Sequence, residues 1–125
     1  MAISGDVVTA TTSLAVGYPN QLAGLSATGA VKLPTASTST AGNATLNAAC
    51  GQAGVASGTS AMTLTNSFIT TSSTIILTLV TTGASVGGVA VFSQTGGSAV
   101  IKSVNGTGVV TTTGADTFFN FLVIN

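Results

Sequence analysis

Beyond Gly51 the bulky apolar residues recur at every second position, a period that suits an extended chain, whose alternate side chains go to opposite faces. A helix would scatter the same residues around its circumference. Met62 and Leu64 alternate with Thr63 and Thr65; Ile75, Leu77 and Leu79 share a face opposite Thr74, Ile76 and Thr78; Val89 and Val91 alternate with Ala90 and Phe92. Further strands are expected at residues 52–57, 99–104, 109–112 and 117–124, and in the last of these Phe119, Phe121 and Val123 oppose Phe118, Leu122 and Ile124. Val, Ile and Thr carry these segments, and their branched Cβ atoms fit a pleated surface better than a helix. Between them fall Ser57-Gly58, Thr82-Gly83, Gly87-Gly88, Gly96-Gly97, Asn105-Gly106 and Gly114, where a turn forms at little steric cost. The expectation is an all-β fold: an antiparallel β-sandwich or jelly roll. No repeat of fixed period supports a solenoid or propeller.

Residues 1–50 have a different texture: Ala, Ser, Thr and Gly with few bulky apolar side chains. Leu14, Val16 and Tyr18 alternate before Pro19-Asn20, and Val31 and Leu33 flank Lys32 before Pro34, so short extended pieces are expected there. Residues 35–43 form a low-complexity stretch that reads as a loop or linker. The chain therefore divides near Cys50 into an extended N-terminal arm, 1–50, and a sandwich domain, 51–125.

Composition limits the chemistry. The 125 residues include two Lys, two acids (Asp6 and Asp116), and no Arg, Glu, His or Trp; 3% are charged and 45% hydrophobic, and Ser plus Thr make up roughly thirty per cent against ordinary usage. Without His, neither a Ser-His-Asp nor a Cys-His arrangement can be assembled within one chain, and imidazole metal sites lack their ligand. Asp6 and Asp116 could join carbonyls around a Ca²⁺ ion or act as an acid/base pair, but their separation in sequence supports neither; a turn for Asp116 and a solvated position for Asp6 are the simpler readings. Neither an enzyme nor a cofactor is expected. Zero formal net charge and the lack of any basic run remove the electrostatic term behind most nucleic-acid affinity.

A mean hydropathy of +0.68 argues for burial and against disorder, while no apolar stretch approaches the roughly 20 residues of a membrane-spanning helix. The N-terminus MAISGDVVTA lacks a basic n-region and an uninterrupted apolar core, so intracellular synthesis is expected. Cys50, as the single cysteine, reads as a small buried hydrophobe. Lys102, between Ile101 and Ser103, reads as an edge-strand charge that discourages aggregation. Either lysine could in principle serve as the amine of an isopeptide cross-link, but the usual acidic catalyst is scarce. The glycine-rich segments lack the Lys-Ser/Thr ending of a phosphate cradle, and the acceptor patterns at Asn43 and Asn105 are expected to carry no glycan.

Four segments carry a resemblance: Gly58-Thr-Ser-Ala-Met-Thr-Leu-Thr-Asn66, Ile69-Thr-Thr-Ser-Ser-Thr-Ile-Ile-Leu77, Ala99-Val-Ile101 and Ala115-Asp-Thr-Phe-Phe-Asn-Phe-Leu-Val-Ile124. With their glycine turn, Ser-Ser turn and aromatic final strand, they resemble the small β-sandwich modules of tailed-bacteriophage virions, found in capsid decoration (cement) proteins and fibre-associated proteins. The short arm after Met1 favours decoration over a fibre tip. The resemblance implies a homo-oligomer, a trimer by expectation, on the capsid exterior, made in the host cytoplasm and binding across major capsid protein subunits. Partner contacts are expected at Leu14, Val16, Tyr18, Val31, Lys32 and Leu33, with Phe118, Phe119, Phe121, Leu122 and Ile124 forming a core or oligomer strand. The alternative is a receptor- or carbohydrate-binding module of a tail fibre, using Thr/Ser/Asn-rich loops, although most of the Phe residues are expected in core strands. A filament subunit is a third possibility.

Overall fold

The computed structural model describes residues 33–125 and, ahead of them, four two-residue strands: β1 (Ile3–Ser4), β2 (Val7–Val8), β3 (Gly24–Leu25) and β4 (Val31–Lys32). β1 pairs antiparallel with β2, and β3 with β4. Among the described residues there is no helix. The all-β expectation holds. Two units are distinguished, Met1–Pro34 and Thr35–Asn125, so the division falls at Pro34 rather than near Cys50.

The second unit contains β5 (Ala44–Thr45), β6 (Cys50–Val55), β7 (Ala61–Thr65), β8 (Thr74–Thr81), β9 (Gly88–Thr95), β10 (Ser98–Val104) and β11 (Thr117–Ile124). They form two sheets, β5-β7-β10-β9 and β6-β11-β8, antiparallel throughout except for the parallel β5–β7 pair. The inward residues of both make one core: Ala53, Val55, Phe119, Phe121 and Val123 from one sheet, and Met62, Leu64, Ala99 and Ile101 from the other, with Leu46 and Ile69 from the connections. β11 shows how alternation creates this layer. Thr117, Phe119, Phe121 and Val123 are buried, whereas Phe118, Asn120, Leu122 and Ile124 lie on the outer face. Removing a side chain of this kind from water contributes about 1.5–3 kcal/mol, so this strand supplies much of the cohesion between sheets.

Turn chemistry fixes the register where two strands meet closely. β9 and β10 are joined across Gly96-Gly97, with Thr95 opposite Ser98, and Gly97 takes φ 89°, a conformation costly for a side-chain-bearing residue. β6 ends at Val55, short of the expected Ser57, because the Ala56 carbonyl accepts the Thr59 N–H (3.1 Å) and hydroxyl (2.7 Å) and turns the chain.

Three local expectations require correction. Residues 35–43 are irregular, as a loop should be, but they do not serve as a linker: residues 35–42 run alongside β6. Ala36 N–H donates to the Cys50 carbonyl (3.0 Å), Thr38 N–H to Gln52 O (2.9 Å) and Gly42 N–H to Gly54 O (2.8 Å), while Gln52 N–H donates to Ser37 Oγ (3.0 Å). Those bonds satisfy β6 backbone groups that would otherwise form an open sheet edge, which is why a segment without apolar periodicity is ordered.

The second correction concerns residues 109–112, where only an isolated Val104–Val110 bridge forms. The chain bonds briefly with the end of β10, through Thr111 N–H to Ser103 O (3.0 Å). It is then drawn to the 56–60 turn, where Thr113 N–H donates to Thr59 O and Gly58 N–H to Thr113 O, both at 2.8 Å. The third is Lys102. β10 lies between β7 and β9, so Lys102 occupies the outer face of an interior strand, not an edge.

Candidate interaction surface

Within residues 33–125, the only charged side chains are Lys102 and Asp116. Asp116 is exposed and accepts the Ser57 N–H at Oδ1 (2.8 Å), tying the turn before β11 to the end of β6. This matches the turn role read from the sequence. Lys102 places its ammonium 3.5 Å from the centroid of the Phe92 ring, a contact worth about 0.5–1 kcal/mol at an exposed site. No group of three or more His, Cys, Asp or Glu side chains that could hold a metal occurs among the described residues. Nor does any buried side-chain nitrogen or oxygen there lack a hydrogen-bond partner. Among the described residues no helix is long and apolar enough to cross a membrane.

What these residues do present is apolar surface. The outer face of the β6-β11-β8 sheet is built by strand register: Leu122 lies opposite Ile76 on β8 and Cys50 on β6, Asn120 opposite Thr78 and Gln52, and Phe118 beside Gly54. Ile76 and Val80 are each 47% exposed and Ile124 46%, while Phe118 and Leu122 are half-buried. The Phe118 ring lies against Gly54, where an added Cβ would come within 2.8 Å of it. A register shift between Phe118 and Phe119 leaves Val80 as the extra residue of a bulge on β8. Polar rather than charged residues, Thr74, Thr78, Gln52 and Asn120, complete the face.

A second apolar region lies on the other sheet. The shift between Val100 and Ile101 leaves Phe92 as the extra residue on β9, and at 64% exposure it is the most exposed large hydrophobic side chain described. It therefore departs from the expected placement of most Phe residues in the core. Val109 and Val110 are exposed in the loop after β10.

The residues expected to bind partners divide clearly. Leu14, Val16 and Tyr18 lie outside the described residues. Val31 and Lys32 form β4 against β3, and Leu33 is exposed. Of the final-strand group, Phe119 and Phe121 belong to the core, whereas Phe118, Leu122 and Ile124 belong to the outer face. Ile76 and Val80 were not singled out in the sequence, although the position of Ile76 opposite the Ile75-Leu77-Leu79 face already marked it as outward. The fold thus defines a charge-poor two-sheet module whose available chemistry is apolar surface, hydroxyls and amides. Compared with known proteins, the chain matches no family model, no curated protein and no solved structure.

Proposed function

We propose that the protein is a structural, non-enzymatic virion component that decorates the exterior of a tailed-phage capsid as a homo-oligomer and stabilises it by binding across major capsid subunits. The observation that carries this reading is the outer sheet face with Phe118, Leu122, Ile124, Ile76 and Val80, in a domain whose described residues hold one ammonium and one carboxylate. Such a surface suits broad, dry contact with another protein, and offers little for ionic recognition or for acid–base and metal chemistry. A protein that binds the assembled shell but not its separated subunits stabilises the shell by mass action, without needing a catalytic group. On this reading the N-terminal arm would add extended segments to a neighbour's sheet.

A cryo-EM map of the virion whose genome encodes this chain tests the reading. Density for the sandwich on the outer capsid surface is expected, together with capsid disruption at lower temperature when the gene is deleted. Location on a tail fibre would instead favour receptor or carbohydrate binding, and absence from the particle would refute a virion role.

A further inference from the structure

We infer that the outer face of the β6-β11-β8 sheet is the surface through which two copies of this chain pair, face to face about a two-fold axis. Charge provides the first argument. Asp116 sits in the turn before β11 and Lys102 on the other sheet, so neither of the two charged side chains of residues 33–125 lies on this face. A partner selected by charge gains nothing here, whereas a second copy brings the same neutral arrangement of Ile76, Val80, Phe118, Leu122 and Ile124 among Thr, Gln and Asn side chains. An isologous pair requires only that the patch complement itself.

Area provides the second. β8 and β11 have eight residues each and β6 has six. At about 3.3 Å per residue and 4.8 Å between strands, the face covers roughly 26 by 14 Å in plan. With side-chain relief this is on the order of 500–600 Å² of accessible surface per copy, so a face-to-face pair buries about 1,000–1,200 Å², at the threshold for a specific interface. A three-fold arrangement would divide one flat face between two neighbours and leave each contact with about half that area, below the threshold. The geometry therefore points to a dimer where the sequence suggested a trimer. The pairing rests on this face alone; a face closed between two copies is not open to the shell, so docking on a capsid would then fall to residues outside it.

The test is the mass of the full-length chain by sedimentation equilibrium at about 10–100 μM, for the native sequence and for Ile76→Glu, Thr78→Glu and the control Val110→Glu in the exposed loop after β10. A native mass twice that of one chain is expected, unchanged in Val110→Glu. Ile76→Glu and Thr78→Glu should weaken pairing by roughly 100-fold, since each would bury an unpaired carboxylate. Thr78 is already exposed and polar, so its variant keeps the sheet intact, and an unaltered circular dichroism spectrum verifies this. A monomeric or trimeric native protein would overturn the inference, as would a dimer indifferent to both face substitutions. So would a native monomer destabilised by Ile76→Glu, the result expected if residues 1–34 of the same chain cover the face.

Discussion

Replacing Gly51 by Ala should detach the segment that closes the β6 edge. A Cβ at this position would lie 1.6 Å from the Ala36 carbonyl oxygen, 2.6 Å from its carbon and 3.1 Å from Phe121 Cε1. Carbon and oxygen without a bond between them settle at about 3.3–3.6 Å, so the Ala36 peptide must retreat by nearly 2 Å. It cannot do so and keep its bonds, because Ala36 N–H to Cys50 O, Thr38 N–H to Gln52 O, and Gln52 N–H to Ser37 Oγ all depend on the same approach. Each is worth about 1 kcal/mol net, for a loss of about 3 kcal/mol, offset by about 0.4–1 kcal/mol from the less flexible unfolded chain. Urea unfolding of Gly51→Ala should therefore show a destabilisation of about 2–3 kcal/mol, with faster hydrogen exchange at Ala36 and Thr38. Gly96→Ala is the control, since nothing lies within 4 Å of its added Cβ, and it should change stability by no more than about 1 kcal/mol. If Gly51→Ala matched the native protein within about 0.5 kcal/mol and the two amides kept their protection, the closed edge would be refuted.

Phe119 is fully buried between the sheets, and Phe119→Ala should cost about 3–5 kcal/mol in the same unfolding experiment. Asn66, also fully buried, donates from Nδ2 to Ala48 O (2.7 Å) and accepts the Phe68 N–H (2.9 Å), so Asn66→Ala strands two backbone groups and should cost about 2–4 kcal/mol. If the protein decorates a capsid, washing particles in about 1 M salt, where the Debye length is about 3 Å, should leave its occupancy unchanged by gel densitometry; a steep loss would show that its few charges dominate docking.

Period two placed six of the seven expected strands correctly in kind, because each buries one face and the alternation of side chains records that burial directly. Phe119, Phe121 and Val123 were separable from Phe118, Leu122 and Ile124 on that basis alone, and with them the two sides of β11. Residues 35–43 read only as a loop or linker because nothing in their apolar pattern is periodic; the segment is irregular, but backbone hydrogen bonds to β6 hold it, and the parallel pairing of Ala44–Thr45 with Leu64–Thr65 that follows is one any small residues can make. Lys102 was misplaced for a related reason. Edge or interior position depends on which strand arrives alongside, and β10 is flanked by β7 and β9 through contacts distant and adjacent in sequence respectively. Bulges at Val80 and Phe92 likewise arise from pairing rather than from residue type.

A nearly charge-free all-β domain has to protect its sheet edges without the charged side chains that commonly do so. Four edges arise from the two sheets, at β6, β8, β5 and β9, and each is blunted by geometry. Residues 35–42 cover β6, β5 is only two residues long, and β8 and β9 carry the Val80 and Phe92 bulges, which interrupt the flat ladder another chain would need. A strand arriving from outside therefore finds no long regular edge to extend, and the sheet faces remain the productive route to association. Edge protection and face chemistry then rest on different atoms: backbone arrangement guards the edges, while the side chains of Ile76, Phe118, Leu122 and Ile124 make up the outer face. Straightening the β8 bulge by deleting Val80 would couple the two, restoring a continuous edge beside the apolar face, and should raise aggregation on concentration above that of the native chain, as measured by light scattering.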